Sequence, residues 1–276
     1  MSVPLRLEAP AKLNLSLRVV GRRTDGLHQL DSHFVLLELA DRLLLMPGCS
    51  GLRVEGGTGV ADLPIGTDNL AWRGLAAGLG GPPELACLTL EKRIPAAAGL
   101  AGGSSDAAAA WRLGRAWHGR DERPTADDVA ALAAIGADVP FFVSGAAEAR
   151  VTGIGETITP LAPIDREVVL VHPPFGLSTR DVFAELRPEE WGSRENDLLA
   201  PARRLRPELD DLFALVAAAG GHPRLTGSGP TIFHLADDPV DAAALVDRLT
   251  RAGLRATHTR TRREPATIDA IEEDAE

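Results

Sequence analysis

The chain has 276 residues, 45% of them hydrophobic and 25% charged, the composition of an ordinary globular protein. A formal net charge of −10 argues against a surface for nucleic acid or an anionic membrane. No apolar run approaches the roughly 18 residues of a membrane-spanning helix, MSVPLRLEAPAKLN has no signal-peptide core, and Cys49 and Cys87 make neither a disulfide framework nor a metal cluster, which leaves the cytoplasm as the expected compartment.

Residues 12–19, KLNLSLRV, alternate strictly and read as a half-buried strand. Leu13, Leu15, Leu17 and Val19 face one way, so Lys12 and Asn14 emerge side by side on the polar face. Lys12 and Lys92 are the only lysines among 29 basic residues, which singles them out for a task needing a compact ammonium. Further strands are expected around 33–39, 42–47 and 85–91. Next comes IPAAAGLAGGSSDAAAA, residues 94–110, in which glycines and serines run into the best helix formers. The helix is expected over 104–118, capped by Ser104 or Ser105, with Asp106 suited to its positive end. Thr125 is expected to cap a helix over 126–135, ended by Gly136. Glycines, prolines and a fresh strand at 168–171 put a domain boundary near 150–165, drawn at 155/156. Beyond it, Ser178 opens a helix with Val182, Phe183 and Leu186, and ELDDLFALVAAAGG is an amphipathic helix with a glycine stop. RLTGSGPTIFHL reads as strand, glycine turn, strand, and PVDAAALVDRLTRAGLRATHTR as helix then strand. This spacing predicts an α+β second domain with helices on one face of a sheet. The acidic tail EEDAE reads as disordered.

A glycine-rich turn feeding a helix N-terminus is a site for phosphate or, on the plainer reading, a tight structural turn. It matches neither G-x-x-x-x-G-K-[ST] nor a spaced G-x-G-x-x-G. Its pattern, P-x-x-x-G-L-A-G-G-S-S-D from Pro95 to Asp106, resembles the ATP loop of the GHMP kinase superfamily. APAKLNLSLRV, DGLHQLDSHF, IGADVPFF, ENDLLAPARRLRPEL and LTGSGPTIFHL follow in that superfamily's order, and resemble the branch acting on 4-diphosphocytidyl-2-C-methyl-D-erythritol.

The resemblance implies a two-domain α+β fold: an N-terminal ribosomal-protein-like β-α-β domain with a left-handed crossover (1–155) and a ferredoxin-like C-terminal domain (156–276). It implies ATP as co-substrate, Mg²⁺ with it, and a small-molecule partner carrying a cytidine diphosphate group. Asp138, between Gly136 and Pro140, becomes the group that takes or orients the hydroxyl proton; a turn or cap aspartate is the alternative. Lys12 pairs with it or reaches a phosphate; a solvated strand lysine is the alternative. Pro95, Gly99, Leu100, Ala101, Gly102, Gly103, Ser104 and Ser105 form the ATP cradle, a serine hydroxyl reaching Mg²⁺ or the γ-phosphate. Asn14, Leu27, His28, Phe183, Gly227 and Ser228 fall to the other substrate, His28 bonding the edge of the base and Phe183 stacking on it; a surface loop histidine, a core phenylalanine and a plain hairpin turn are the alternatives. Ala101 stands where the resemblance expects glycine, tolerable at negative φ and costly in the left-handed region. Leu27 stands where it expects tyrosine, in a chain with no tyrosine at all. The rivals are another GHMP kinase, for mevalonate, homoserine or a sugar, and a non-catalytic nucleotide-binding protein of the same fold.

Overall fold

The computed structural model describes residues 3–56, 63–84 and 86–271, so the tail EEDAE lies outside the described residues. Two long strands organise the first half. β1 (Leu5–Arg22) and β2 (His28–Pro47) pair antiparallel from Leu5↔Leu45 to Arg22↔His28. The two strands expected at 33–39 and 42–47 are one, because no glycine or proline interrupts HFVLLELADRLLLM. The alternation at 12–19 holds for the apolar face, but the polar face is not open to solvent at its start. Lys12 and Asn14 are only 5% and 2% exposed, being covered by the elements of the cavity described below.

β3 (Gly51–Gly56) and β4 (Ala86–Lys92) lie parallel, with α1 (Leu70–Leu79) connecting them. β4 pairs with one half of β2, and β5 (Glu148–Gly153) with the other; β6 (Thr157–Pro160) hairpins onto β5. β11 (Asp269–Ala270) returns from the far end of the chain to pair with β1, completing a seven-stranded sheet. α2 (Gly102–Trp117) packs on this sheet beside α1, so closely that glycine is required: a Cβ at Gly74 would fall 2.1 Å from Ala107 O, and one at Gly78 2.2 Å from Trp111 O. α3 (Ala126–Ala133) starts at Thr125, the expected cap, and is closed by a reciprocal capping box through Asp128; it ends two residues before the expected 135. The short α4 (Val139–Val143) follows.

The second sheet has the order β10 (Ala256–Arg260), β7 (Glu167–Val171), β9 (Ile232–Ala236), β8 (Arg224–Leu225), all antiparallel. Counted along the chain this is fourth, first, third, second. With α5 (Thr179–Ala184), α6 (Leu199–Leu205) and α7 (Glu208–Ala218) after β7 and α8 (Pro239–Arg251) before β10, it is the expected ferredoxin-like arrangement. The division at 155/156 falls inside the β5–β6 hairpin; the passage from first sheet to second lies between 160 and 167.

Two expectations are corrected. Cys49 and Cys87 are bonded to each other, because β3 and β4 run side by side and bring their Cα atoms to 5.3 Å. Neither Ser104 nor Ser105 caps α2: the helix begins two residues earlier, at Gly102, with Ala101 in the capping position and no side-chain cap. No helix among the described residues is long and apolar enough to cross a membrane.

Candidate active site

A cavity of about 1200 Å³ gathers polar groups from the first sheet, the glycine-rich loop, α5 and the second glycine turn. β1 forms part of its floor. Register shifts between Pro10 and Lys12 and between Asn14 and Ser16 open the ladder there. The Lys12 amide donates instead to Leu100 O (3.1 Å) in the glycine loop, and the Asn14 amide to Thr226 Oγ1 (2.9 Å). A buried ammonium needs partners, and Lys12 has them. Its Nζ donates to Asn14 Oδ1 at 2.6 Å, lies 3.5 Å from Asp138 Oδ2, and sits 4.6 Å from the centre of the Phe34 ring. Asn14 Nδ2 donates to Ser32 Oγ (2.9 Å), which donates to Ser16 O (2.5 Å), so the amide is fixed on both sides.

Asp138 occupies the N-cap position of α4, yet its side chain makes no capping hydrogen bond. It lines the cavity, 28% exposed, facing Lys12. The alternative of a cap aspartate is therefore not what the geometry presents.

Pro95, Gly99, Leu100, Ala101, Gly102, Gly103 and Ser104 all line the same cavity. Ser105 does not. Its side chain is buried, with Oγ unpartnered, because the first turn of α2 rotates it into the protein. Gly99 has φ +78°, and a Cβ there would come within 2.6 Å of Gly229 O. The two glycine turns are thus in backbone contact, reinforced by Thr231 N donating to Ala98 O (3.3 Å). A Cβ at Gly227 would lie 2.9 Å from Asn14 Oδ1 and 3.6 Å from Lys12 Nζ, which puts the second turn beside the lysine. Asn196 holds it there, Nδ2 donating to Leu225 O (2.8 Å) and Gly227 O (2.9 Å), while Asp197 accepts from the amides of Val19, Gly192 and Arg194. Sequence reasoning passes over these two residues. Their signal is a pair of short polar side chains directly before the apolar Leu198–Leu199.

At the other end, the His28 ring stacks on Phe183 (5.3 Å between centroids, 24° between planes) and meets Trp191 edge-on at 5.8 Å. Burial, and then the Arg22 charge, lower the His28 pKa, which leaves a neutral ring with one donor and one acceptor nitrogen. Leu27 lines the cavity and is half exposed. Trp191 is missed by sequence reasoning, since nothing local distinguishes it among four tryptophans. Ser228 Oγ and Thr179 Oγ1 share a hydrogen bond (2.8 Å) that ties α5 to the second glycine turn.

Two family models match the chain, the GHMP kinases N terminal domain over residues 69–146 and GHMP kinases C terminal over 179–255. The chain is 40% identical to the 4-diphosphocytidyl-2-C-methyl-D-erythritol kinase of Dinoroseobacter shibae, an alignment covering 90% of this chain and 91% of the relative. The chain belongs to this family of GHMP kinases. Another member, from Thermus thermophilus, is 39% identical with 89% and 92% covered. A crystal structure of 4-(cytidine 5'-diphospho)-2C-methyl-D-erythritol kinase matches with a TM-score of 0.78 at 36% identity, covering 93% of this GHMP kinase and 98% of that chain.

Proposed function

We propose that this GHMP kinase transfers the γ-phosphoryl group of ATP to the 2-hydroxyl of 4-diphosphocytidyl-2-C-methyl-D-erythritol, as a cytoplasmic step toward isoprenoid precursors. The observation that carries the chemistry is the Lys12–Asp138 pair, 3.5 Å apart, set against two glycine turns in one cavity. Phosphoryl transfer needs little covalent help from a protein. It needs an oriented hydroxyl and positive charge where negative charge builds. Asp138 accepts or orients the proton of the 2-hydroxyl, whose oxygen bonds to the γ-phosphorus as the bond to the β-phosphate oxygen breaks and ADP leaves. Lys12 holds Asp138 in place and offers its ammonium to the transferring group. Amides of the Gly99–Ser104 loop, at the N-terminus of α2, receive the remaining phosphates.

Magnesium belongs to this reading through ATP. Among the described residues no cluster of three or more His, Cys, Asp or Glu side chains forms a metal cage. The donors at this point, the Ser104 hydroxyl and the Asp138 carboxylate, suit an ion that takes one or two protein oxygens and fills the rest of its shell with phosphate and water. Bound there it would neutralise charge on the phosphoryl oxygens. For the cytidine end, the aromatic group of His28, Phe183 and Trp191 supports a base pocket, with Leu27 as an aliphatic wall and Asn14, Gly227 and Ser228 on the path toward Lys12. The division into an ATP-binding N-terminal part and a C-terminal part goes with this reading, with the passage between them at residues 160–167 rather than at 155/156.

The test is ADP release by the purified protein against 4-diphosphocytidyl-2-C-methyl-D-erythritol, mevalonate, homoserine and galactose. Turnover of the cytidyl alcohol at a kcat/KM at least about 10²-fold above the others is expected. Preference for any of the other three overturns the substrate assignment. ATP binding without turnover of any alcohol overturns the catalytic one.

A further inference from the structure

The second lysine, Lys92, takes no part in the chemistry above, yet it is as deeply placed as the first. Its Nζ pairs with Asp41 Oδ2 and, at 2.7 Å, with Asp106 Oδ2. All three side chains are buried, with 6%, 0% and 4% of their surface exposed, Lys92 and Asp106 at the wall of the cavity and Asp41 behind them. Asp41, on β2, uses its other oxygen to accept the backbone N–H groups of Arg93 (2.5 Å) and Ile94 (2.8 Å). Those are the two residues directly before Pro95, where the glycine loop starts. Asp106 lies in α2, three residues after Gly103, where the loop ends. One connected group of side chains therefore grips the chain on both sides of the loop. It also touches the loop itself, since a Cβ on Gly102 would lie 3.2 Å from Lys92 Nζ.

Stability is a poor explanation for such a group. Taking such groups out of water is costly, and apolar side chains of similar volume would join sheet to helix at least as well. What the ionic group supplies, and apolar packing does not, is a fixed distance and direction between β2, the end of β4 and the start of α2.

We propose that Lys92, Asp41 and Asp106 are positioning residues of the nucleotide loop, fixing its two ends so that its amides converge on the phosphates of bound nucleotide. The proposal rests on reading the glycine loop as the nucleotide phosphate site. Burial pushes the Asp106 carboxyl well above the usual carboxylate range, against the pull of Lys92 and with the help of the Asp41 charge. Burial would lower Lys92, but Asp106 and Asp41 outweigh it and raise its pKa. A neutral, isosteric amide at 106 is thus compatible with the site, whereas a side chain that cannot accept from Lys92 is not.

Calorimetric titration with ADP, and separately with 4-diphosphocytidyl-2-C-methyl-D-erythritol, tests this. Lys92→Met and Asp106→Ala are each expected to weaken ADP binding by about tenfold or more, since small displacements of a binding frame carry large penalties. Affinity for the cytidyl alcohol should stay within about twofold, and Asp106→Asn should bring ADP affinity back to within about threefold of the parent. The double variant Lys92→Met/Asp106→Ala should lose no more than the weaker-binding single variant, because the residues act as a unit. Unchanged ADP affinity in a folded Lys92→Met or Asp106→Ala protein overturns the proposal, as do equal losses for both ligands or fully additive losses. If every variant, Asp106→Asn included, fails to fold by circular dichroism, the group is structural only and the proposal falls. Should the enzyme favour a different alcohol, the ADP titrations still stand, so the two readings fail separately.

Discussion

Ala101 is held at φ 54°, ψ 31°, a left-handed conformation that costs a residue with a Cβ about 1–2 kcal/mol. The conformation is imposed from both sides, by Leu100 O accepting the Lys12 amide and by Ala101 O accepting the Ser105 amide as α2 begins. Ala101→Gly should therefore stabilise the protein by roughly 0.5–1 kcal/mol, after allowing for glycine's greater freedom in the unfolded chain. Thermal unfolding should shift up by about 2 °C, with the KM for ATP within about threefold because the loop keeps its path. A lower melting temperature would mean that the methyl makes a contact worth more than the strain. At Asp138 the expectation concerns rate. Asp138→Asn keeps the shape and removes the proton acceptor, so kcat should fall by about 10²-fold or more while ADP still binds. A variant within about threefold of the parent in kcat would make the aspartate a bystander.

The pairing of α1 with α2 positions the glycine loop from behind. Exposed helical glycines normally gain about 1 kcal/mol on replacement by alanine. Here the sign reverses, because the new methyl at Gly78 would meet the Trp111 carbonyl at 2.2 Å and the helices must part. Gly78→Ala should cost about 1–3 kcal/mol in urea unfolding. Leu70, the first residue of α1, lies 3.3 Å from where a Cβ on Gly103 would be, so the same displacement should raise the KM for ATP. Stabilisation by Gly78→Ala would show that the helices can slide without loss. Around α5 the expectation is different. Phe183 already stacks on His28, which in turn meets Trp191 edge-on, and Leu27 is the aliphatic member of the lining. Leu27→Tyr should lower the KM for the cytidyl alcohol several-fold, in line with ~0.5–1.5 kcal/mol for an added aromatic contact. The ATP KM should not move; if it alone moves, the base pocket lies elsewhere.

Across the whole molecule, local pattern was enough for the elements with strong punctuation, such as Thr125 before α3 and Ser178 before α5, both of which cap by side-chain hydrogen bonds. It was not enough where the deciding fact is tertiary. The conformation of Ala101 depends on Lys12 and Ser105, the burial of Lys12 and Asn14 on the second glycine turn, and α1, absent from the expected elements, on glycines that read as breakers until α2 is beside them. The partners of Lys92 come from two other elements, β2 and α2, so its scarcity marked the residue without revealing its company. The C-terminal segment belongs to the same class. Ala266 is buried with Leu7, Leu43 and Leu88 of the first sheet, its carbonyl accepts from Arg112 Nη1 (2.8 Å), and β11 pairs with β1. Ending the chain after Arg263 removes these contacts and should lower the melting temperature by about 5 °C or more, as loss of a partly buried apolar segment implies; an unchanged melting temperature would make the segment dispensable. The join between Arg6 and Asp269 spans 263 positions. A ribosome releases this chain from residue 1 onward, so the outer rim of β1 at Leu5 and Arg6 stays unzipped through nearly the whole of synthesis. The nascent protein must wait for its last segment before that rim is covered, and an uncovered rim is where neighbouring nascent chains adhere.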